Sequence, residues 1–360
     1  VNDPHQPYKS TVHINRANRP DIMSNGQYLG HVRRDDPLYS YLRHEIQPQT
    51  GRTSEKAKYR VFRLNASNDV FLYEEKYSGA KFIGKFFCCD RTKDADKAAA
   101  RLTHEFDNLQ AMRGCGLTGA PHNVARPLGK NYALNALLVT EICEGELLSK
   151  VILAAIHNGE QEKLFQRLTA LAYFFSKLHN RTANGRKVDF RPSCDYTEHL
   201  IQKLLRIHAL KDKEADELRR LRDQWQQQER MWEDRQVLVH GDATPENFKF
   251  TGGLNVSTFD LERAHRDDRV FDVGRIAGEL KHFFLRDTGS KEAAEPFIGH
   301  FLWEYACHFP DREKAFRSIT ARVPFYMGIT LLRIARNSWI VQDYRRCLID
   351  EAKECLRRVI

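Results

Sequence analysis

The chain has 360 residues, 41% of them apolar and 29% charged, with 57 basic against 48 acidic side chains and a net charge of +9. That balance excludes a disordered or fibrous chain, allows roughly two domains with sizeable cores, and favours anionic over polycationic partners. Bases interleaved with acids, and no RNA-binding signature, argue against nucleic acid.

The first segment, 1–58, is polar and carries Pro4, Pro7, Pro20, Pro37 and Pro48. It reads as an arm, packed on a lobe or partly disordered, with a short helix at Asp36–Leu42. From Tyr59 the pattern turns to strands. Tyr59–Leu64, Val70–Tyr77 and Ala80–Phe87, separated by turn clusters at Asn65–Asp69 and Ser78-Gly79, predict a three-stranded antiparallel meander. Asp94–Met112 predicts a helix, because Ala98, Leu102, Phe106, Leu109 and Met112 recur at helical spacing. Val124–Leu128 and Leu137–Cys143 are two further strands.

After Glu144-Gly145 the chain becomes helical. Leu147–Asn158, Glu162–His179 and one or two helices within Tyr196–Trp232 come first. The charged half of the last, 211–230, reads as a solvated face. Helices at about 270–285, 291–308, 311–319, 323–342 and 346–358 complete the chain. The fold class is therefore α+β. The division is an arm at 1–58, a β-rich N-lobe at 59–143 and a larger, mainly helical C-lobe at 144–360. Eight cysteines without a Cys-x-x-Cys pair argue against a disulfide scaffold or zinc site and fit a reducing cytoplasm. No signal-peptide core and no long uncharged apolar run is visible, so no membrane association is expected.

The most informative stretch is Val239-His240-Gly241-Asp242-Ala243-Thr244-Pro245-Glu246-Asn247, followed beyond the Gly252-Gly253 turn by Phe259-Asp260-Leu261-Glu262. Asp242 and Asn247 are close enough in sequence for one loop to aim both into one cleft. Asp260 arrives at the end of a short strand. Phosphoryl transfer from ATP uses such a set: a loop Asp meets the acceptor hydroxyl, a loop Asn and a second Asp hold Mg²⁺. Magnesium keeps several waters, so few protein oxygens suffice. Each residue also has an ordinary reading, as a turn or cap side chain. Their register with one another favours the catalytic one. Glu262 reads either as an aid to the second metal or as a surface ion pair. His240 reads as a brace for the loop.

These motifs, with Phe271-Asp272-Val273-Gly274, make residues 59–345 resemble the aminoglycoside phosphotransferase/choline kinase superfamily. The resemblance implies a bilobal protein-kinase-like fold and transfer of the ATP γ-phosphoryl group to a hydroxyl of a small molecule, of amino alcohol, aminoglycoside or sugar type. It implies ATP and Mg²⁺ as cofactors and Asp242 as the catalytic carboxylate. Asn247, Asp260 and Glu262 become the metal ligands. Lys85 is implied to hold the phosphates and to pair with an acid on the following helix, for which Glu105 is the candidate. Glu141 to Cys143 become the adenine hinge, and Ser67, in a hairpin loop without a Gly-x-Gly-x-x-Gly signature, approaches phosphate. Asp272 is expected to open a helix and brace the catalytic loop. Glu304, Arg333 and Asp343 mark the region of the acceptor pocket. An atypical protein kinase and a non-catalytic nucleotide-binding or scaffold protein are the rivals. Only about ten residues lie between Asp260 and Phe271, too few for a long regulated loop, which weighs against the first.

Overall fold

The computed structural model describes residues 26–64, 69–88 and 94–359, and these form two compact units. The first comprises the chain up to Gly114 together with Val124–Cys143; the second comprises Cys115–Asn123 and Glu144 onward.

In the first unit, Gln27–His31 (β1) pairs antiparallel with Tyr59–Arg63 (β2). Between them Pro37–Tyr41 (α1) starts on Asp36, whose Oδ1 accepts the Leu38 N–H at 2.8 Å, with proline at the first helical position where no amide hydrogen is needed. Asp69–Glu75 (β3) and Lys81–Phe86 (β4) complete the expected meander. Ala95–Gly114 (α2) buries Ala98, Leu102, Leu109 and Met112, as their spacing predicts, while Phe106, expected on the same face, is half-buried. Two short strands, Thr118–Gly119 (β5) and His122–Val124 (β6), join a sheet of the second unit. Pro127–Asn131 (β7) and Leu137–Glu141 (β8) then complete a six-stranded sheet of order β1-β2-β3-β4-β8-β7.

The sequence placed one strand at Val124–Leu128. The chain instead divides it between β6 and β7, because Pro127 supplies no ladder donor and begins a new strand. The segment before β2 is no loose arm over its described part. Leu38, Tyr39, Tyr41, Leu42 and Ile46 are buried in one core with Tyr59, Val61, Tyr73 and Phe82. The Gln27–His31 strand was not visible in the sequence because Gly30 and His31 break the apolar alternation.

The second unit starts with Glu146–Leu147 (β9), Leu148–His157 (α3), Gln161–Thr182 (α4), Arg191–Arg206 (α5) and Asp212–Gln226 (α6). The long charged stretch is thus two helices, broken at His208, which has φ 54. Val237–Val239 (β10) leads into the motif loop, and Phe248–Gly252 (β11) and Asn255–Thr258 (β12) form a hairpin. His265–Asp267 (β13) pairs antiparallel with β10, Val239 facing His265. Val270–Thr288 (α7), Glu295–Ala306 (α8), Arg312–Thr320 (α9), Val323–Ala335 (α10) and Gln342–Leu356 (α11) close the unit. The core helix is α7, buried continuously from Val270 to Phe284. Its Gly274 lets α10 approach so closely that a Cβ there would lie 2.4 Å from Cβ of Tyr326. No helix among the described residues is long and apolar enough to cross a membrane.

Candidate active site

The motif loop is fixed by its strands and by one carboxylate. The β10–β13 pair and the β11–β12 hairpin bring the 240–247 and 259–264 segments together. Asp272, fully buried at the start of α7, accepts the His240 N–H at 2.6 Å on Oδ2 and the Gly241 N–H at 3.1 Å on Oδ1. His179 Nε2 lies 3.3 Å from the same Oδ2. Burial works to raise the Asp272 pKa, but His179 and the loop amides outweigh it and hold the group below its usual range. This is the brace expected of Asp272.

His240 is also buried and its tautomer follows from its partners. The Thr258 hydroxyl donates to the Asn247 carbonyl at 2.9 Å, so it accepts from His240 Nε2–H at 2.8 Å. Nδ1 is then the lone pair that accepts the Asp242 N–H at 3.3 Å. Every atom of the ring that can bond is committed to the loop, which is a bracing role. Gly241 makes the turn with φ 78, and a Cβ there would lie 1.9 Å from the Arg263 carbonyl oxygen. Gly241→Ala must therefore displace the loop. We expect the variant to keep its helical circular dichroism and to lose about 10²-fold in turnover, the cost of misplacing a catalytic group by an ångström. Wild-type turnover would remove Gly241 from the account.

Asp242 is half-buried and carries the densest electrostatics of the unit. Its Oδ1 accepts from Arg333 Nη2 at 2.5 Å and from Arg275 Nη1 at 3.1 Å, and Arg263 Nε lies 3.8 Å from Oδ2. Burial alone would raise its pKa; Arg333, Arg275 and Arg263 reverse that and hold it below the usual carboxylate range. Asp242 is thus ionised at neutral pH. It is a weak base, suited to orienting a hydroxyl and taking its proton late.

Asn247 ends a single 3₁₀ turn, Pro245–Asn247, and is buried. Its Nδ2 donates to the Asp242 carbonyl at 2.8 Å, which orients the amide and leaves Oδ1 as the atom that can meet a cation. Asp260 follows β12 in the left-handed region with φ 62, a conformation that costs a non-glycine residue energy and occurs at functional turns. Asp260 and Glu262 are both half-buried, and Glu262 Oε1 lies 3.9 Å from Arg263 Nε. An amide oxygen and two carboxylates would offer a cation oxygen donors alone, which suits magnesium and not a thiophilic metal.

In the first unit, Lys85 and Glu105 form the pair that the sequence suggested, Nζ to Oε2 at 2.7 Å, both buried. Lys85 Nζ also lies 5.1 Å from the centre of the Phe87 ring. Glu141 ends β8, with its carboxylate accepting the Arg126 N–H at 3.0 Å and facing Arg113 at 3.7 Å; Cys143 is buried two residues on. Ser67 lies outside the described residues.

The sequence reading missed Arg275 and Glu279, and gave Arg333 only a neighbourhood. A signal existed: Asp272, Arg275 and Glu279 share one face of an otherwise apolar helix. Neither Glu304 nor Asp343, named with Arg333, forms an ion pair with the Asp242 cluster among the described residues. Glu304 instead acts on His308.

An antiparallel sheet with its buried Lys–Glu pair, and a helical unit with an Asp–Asn loop, define a phosphotransferase of protein-kinase-like fold. The chain belongs to the phosphotransferase enzyme family, whose profile matches residues 58–310. Among solved structures it is similar to a Plasmodium vivax ethanolamine kinase, at 12% identity and TM-score 0.56, covering 90% of this chain and 88% of that one. It is likewise similar to amicoumacin kinase hAmiN in complex with AMP-PNP, Ca²⁺ and Ami, at 16% identity and TM-score 0.56, covering 89% and 92%. A third is the ADP-bound aminoglycoside phosphotransferase APH(2'')-Ib, at 14% identity and TM-score 0.51, covering 90% and 97%. No curated protein matches the sequence significantly.

Proposed function

We propose that this protein transfers the γ-phosphoryl group of Mg-ATP to a hydroxyl group of a small molecule. The observation that carries the reading is the ionised Asp242, set in a loop whose backbone is held by Asp272 and by the Asn247 amide, which donates to the Asp242 carbonyl. The acceptor oxygen forms its bond to Pγ, the bond from Pγ to the β–γ bridging oxygen breaks, ADP leaves, and the hydroxyl proton passes to the Asp242 carboxylate. Asn247, Asp260 and Glu262 are the residues that would hold the metal. When bound, Mg²⁺ neutralises phosphate charge during transfer. The unit containing Lys85 is the nucleotide-binding lobe and the unit containing Asp242 the catalytic lobe. Glu141 to Cys143 is the adenine-binding segment.

Lys85, anchored by Glu105, is the phosphate ligand. Lys85→Ala should weaken ATP affinity by about 10- to 100-fold, the worth of a charge-assisted hydrogen bond, measured by titration with a fluorescent ATP analogue. Unchanged affinity would remove Lys85 from the site. The reading as a whole is tested by Mg-ATP consumption over amino alcohols, aminoglycosides, sugars, nucleosides and a generic protein. Stimulation by a small molecule supports it, and stimulation by the protein alone would move the assignment to a protein kinase.

A further inference from the structure

We propose that the acceptor is itself an anion: a hydroxyl compound carrying a phosphate or carboxylate group, held beside Asp242 by Arg333, Arg336 and Lys203. The inference rests on the phosphotransfer reading above and narrows its acceptor. Protonated amino alcohols and aminoglycosides are excluded by it.

Asp242 receives more positive charge than one carboxylate can balance. Arg275, from α7, is buried and 3.1 Å away; Arg333, from α10, is 2.5 Å away; Arg263 is 3.8 Å away. Two other acids lie against them: Glu279, 3.4 Å from Arg333, and Glu262, 3.9 Å from Arg263. Burial pushes Glu279 up to about 7, so at neutral pH it supplies only part of a charge. The Nε donors of both Arg275 and Arg333 are buried without a hydrogen-bond partner among the described residues.

Two further cations join the cluster. Arg336 follows α10, and Lys203 lies on α5. Neither makes an ion pair among the described residues. Burial lowers the Arg336 pKa, and Arg333 and Arg263 lower it further, against Tyr196 and Asp242. Burial lowers Lys203 too, and Arg336 adds to it. Glu246 acts on Glu279 from an exposed position, and Glu262 belongs to the metal set. Three arginines therefore contact Asp242, Glu279 and Glu262, and Arg336 and Lys203 add two further cations beside them.

Crowding like charges beside a half-buried site costs stability, and neutralising Asp242 alone would need one arginine. The arrangement makes sense when a second anion arrives. Arginine forks suit phosphate and carboxylate, and their donors would be satisfied by such a group. The anionic group takes no part in the bond changes; it sets which hydroxyl lies at Asp242.

The test uses the full chain, Mg-ATP and two matched acceptor sets read by ADP release: glucosamine, glucose, gluconate and glucose 6-phosphate; and ethanolamine, glycerol, glycerate and glycerol 3-phosphate. The anionic members should exceed their neutral counterparts by about tenfold or more in kcat/KM, the gluconate and phosphate arms separating carboxylate from phosphate. Arg336→Gln and Lys203→Gln should each raise the acceptor KM about tenfold and leave the ATP KM alone. Equal or better turnover of neutral or cationic members, or variants that move only the ATP KM, overturns the inference while leaving the phosphotransfer reading standing. Should no member turn over, calorimetry with inorganic phosphate on protein saturated with Mg-ADP decides. Binding lost in Arg336→Gln supports the anion site; no binding overturns it. Failure of the wild type to bind ATP would sink the phosphotransfer reading separately.

Discussion

Asp242→Ala should reduce turnover by about 10²- to 10⁴-fold, the range for removing a positioned general base, and leave nucleotide affinity intact. Among the described residues, the carboxylate makes no backbone hydrogen bond that holds the loop. That task falls to Asp272 and to the His240–Thr258–Asn247 chain. The Asp242 backbone still donates to His240 and accepts from Asn247, contacts that alanine retains. What alanine removes is the counter-charge of Arg275 and Arg333 and, on the proposed mechanism, the acceptor of the substrate proton. Asp242→Asn is the cleaner companion, because it fills the same volume. Both should bind Mg-ATP as the wild type does in a direct titration. Near-normal turnover in either would show that Asp242 does not meet the acceptor.

The largest effect on stability is expected at Arg322. It is 2% exposed, with Nη1 2.6 Å from Asp268 and Nη2 2.8 Å from Asp234. Asp234 also receives Arg269 at 3.1 Å. Asp234 precedes β10 and Asp268 follows β13, and the strands are antiparallel, so one guanidinium ties the two strands together at the end opposite the catalytic loop. Burial pushes the Asp268 carboxyl up to about 6, which still leaves it ionised at neutral pH beside Arg322. Arg322→Met would strand that charge in the interior, a change that costs about 3–5 kcal/mol. The measurement is the urea unfolding free energy at neutral pH, with Asp268→Asn added to Arg322→Met expected to recover part of the loss. A change below about 1 kcal/mol, the value of an exposed pair, would show the cluster to be solvated.

The two cases also show what a sequence exposes. Asp242, Asn247 and Asp260 were legible because one loop and one hairpin set their spacing, and local backbone geometry leaves a local pattern. Lys85 and Glu105 were legible through the family resemblance: a lysine among apolar strand residues needs a counter-charge, and α2 follows directly. Arg333 and Arg322 could not be paired with Asp242 and Asp268, because those contacts depend on how α10 packs against α7. Close packing there is permitted by Gly274, and a lone glycine within a helix gives no indication of its partner. The buried run of the core helix was predicted as a helix, yet its interior charges were hidden by an apolar average. The acceptor site proposed above is the extreme case, since it would gather residues from α5, α7, α10 and the motif loop.

The most direct measurement is ³¹P NMR of the full chain with Mg-ATP and an accepted hydroxyl compound. A new phosphomonoester resonance should grow in step with ADP, with no matching rise in inorganic phosphate. ADP accompanied only by inorganic phosphate, or ATP bound and left intact with every hydroxyl compound offered, would contradict it.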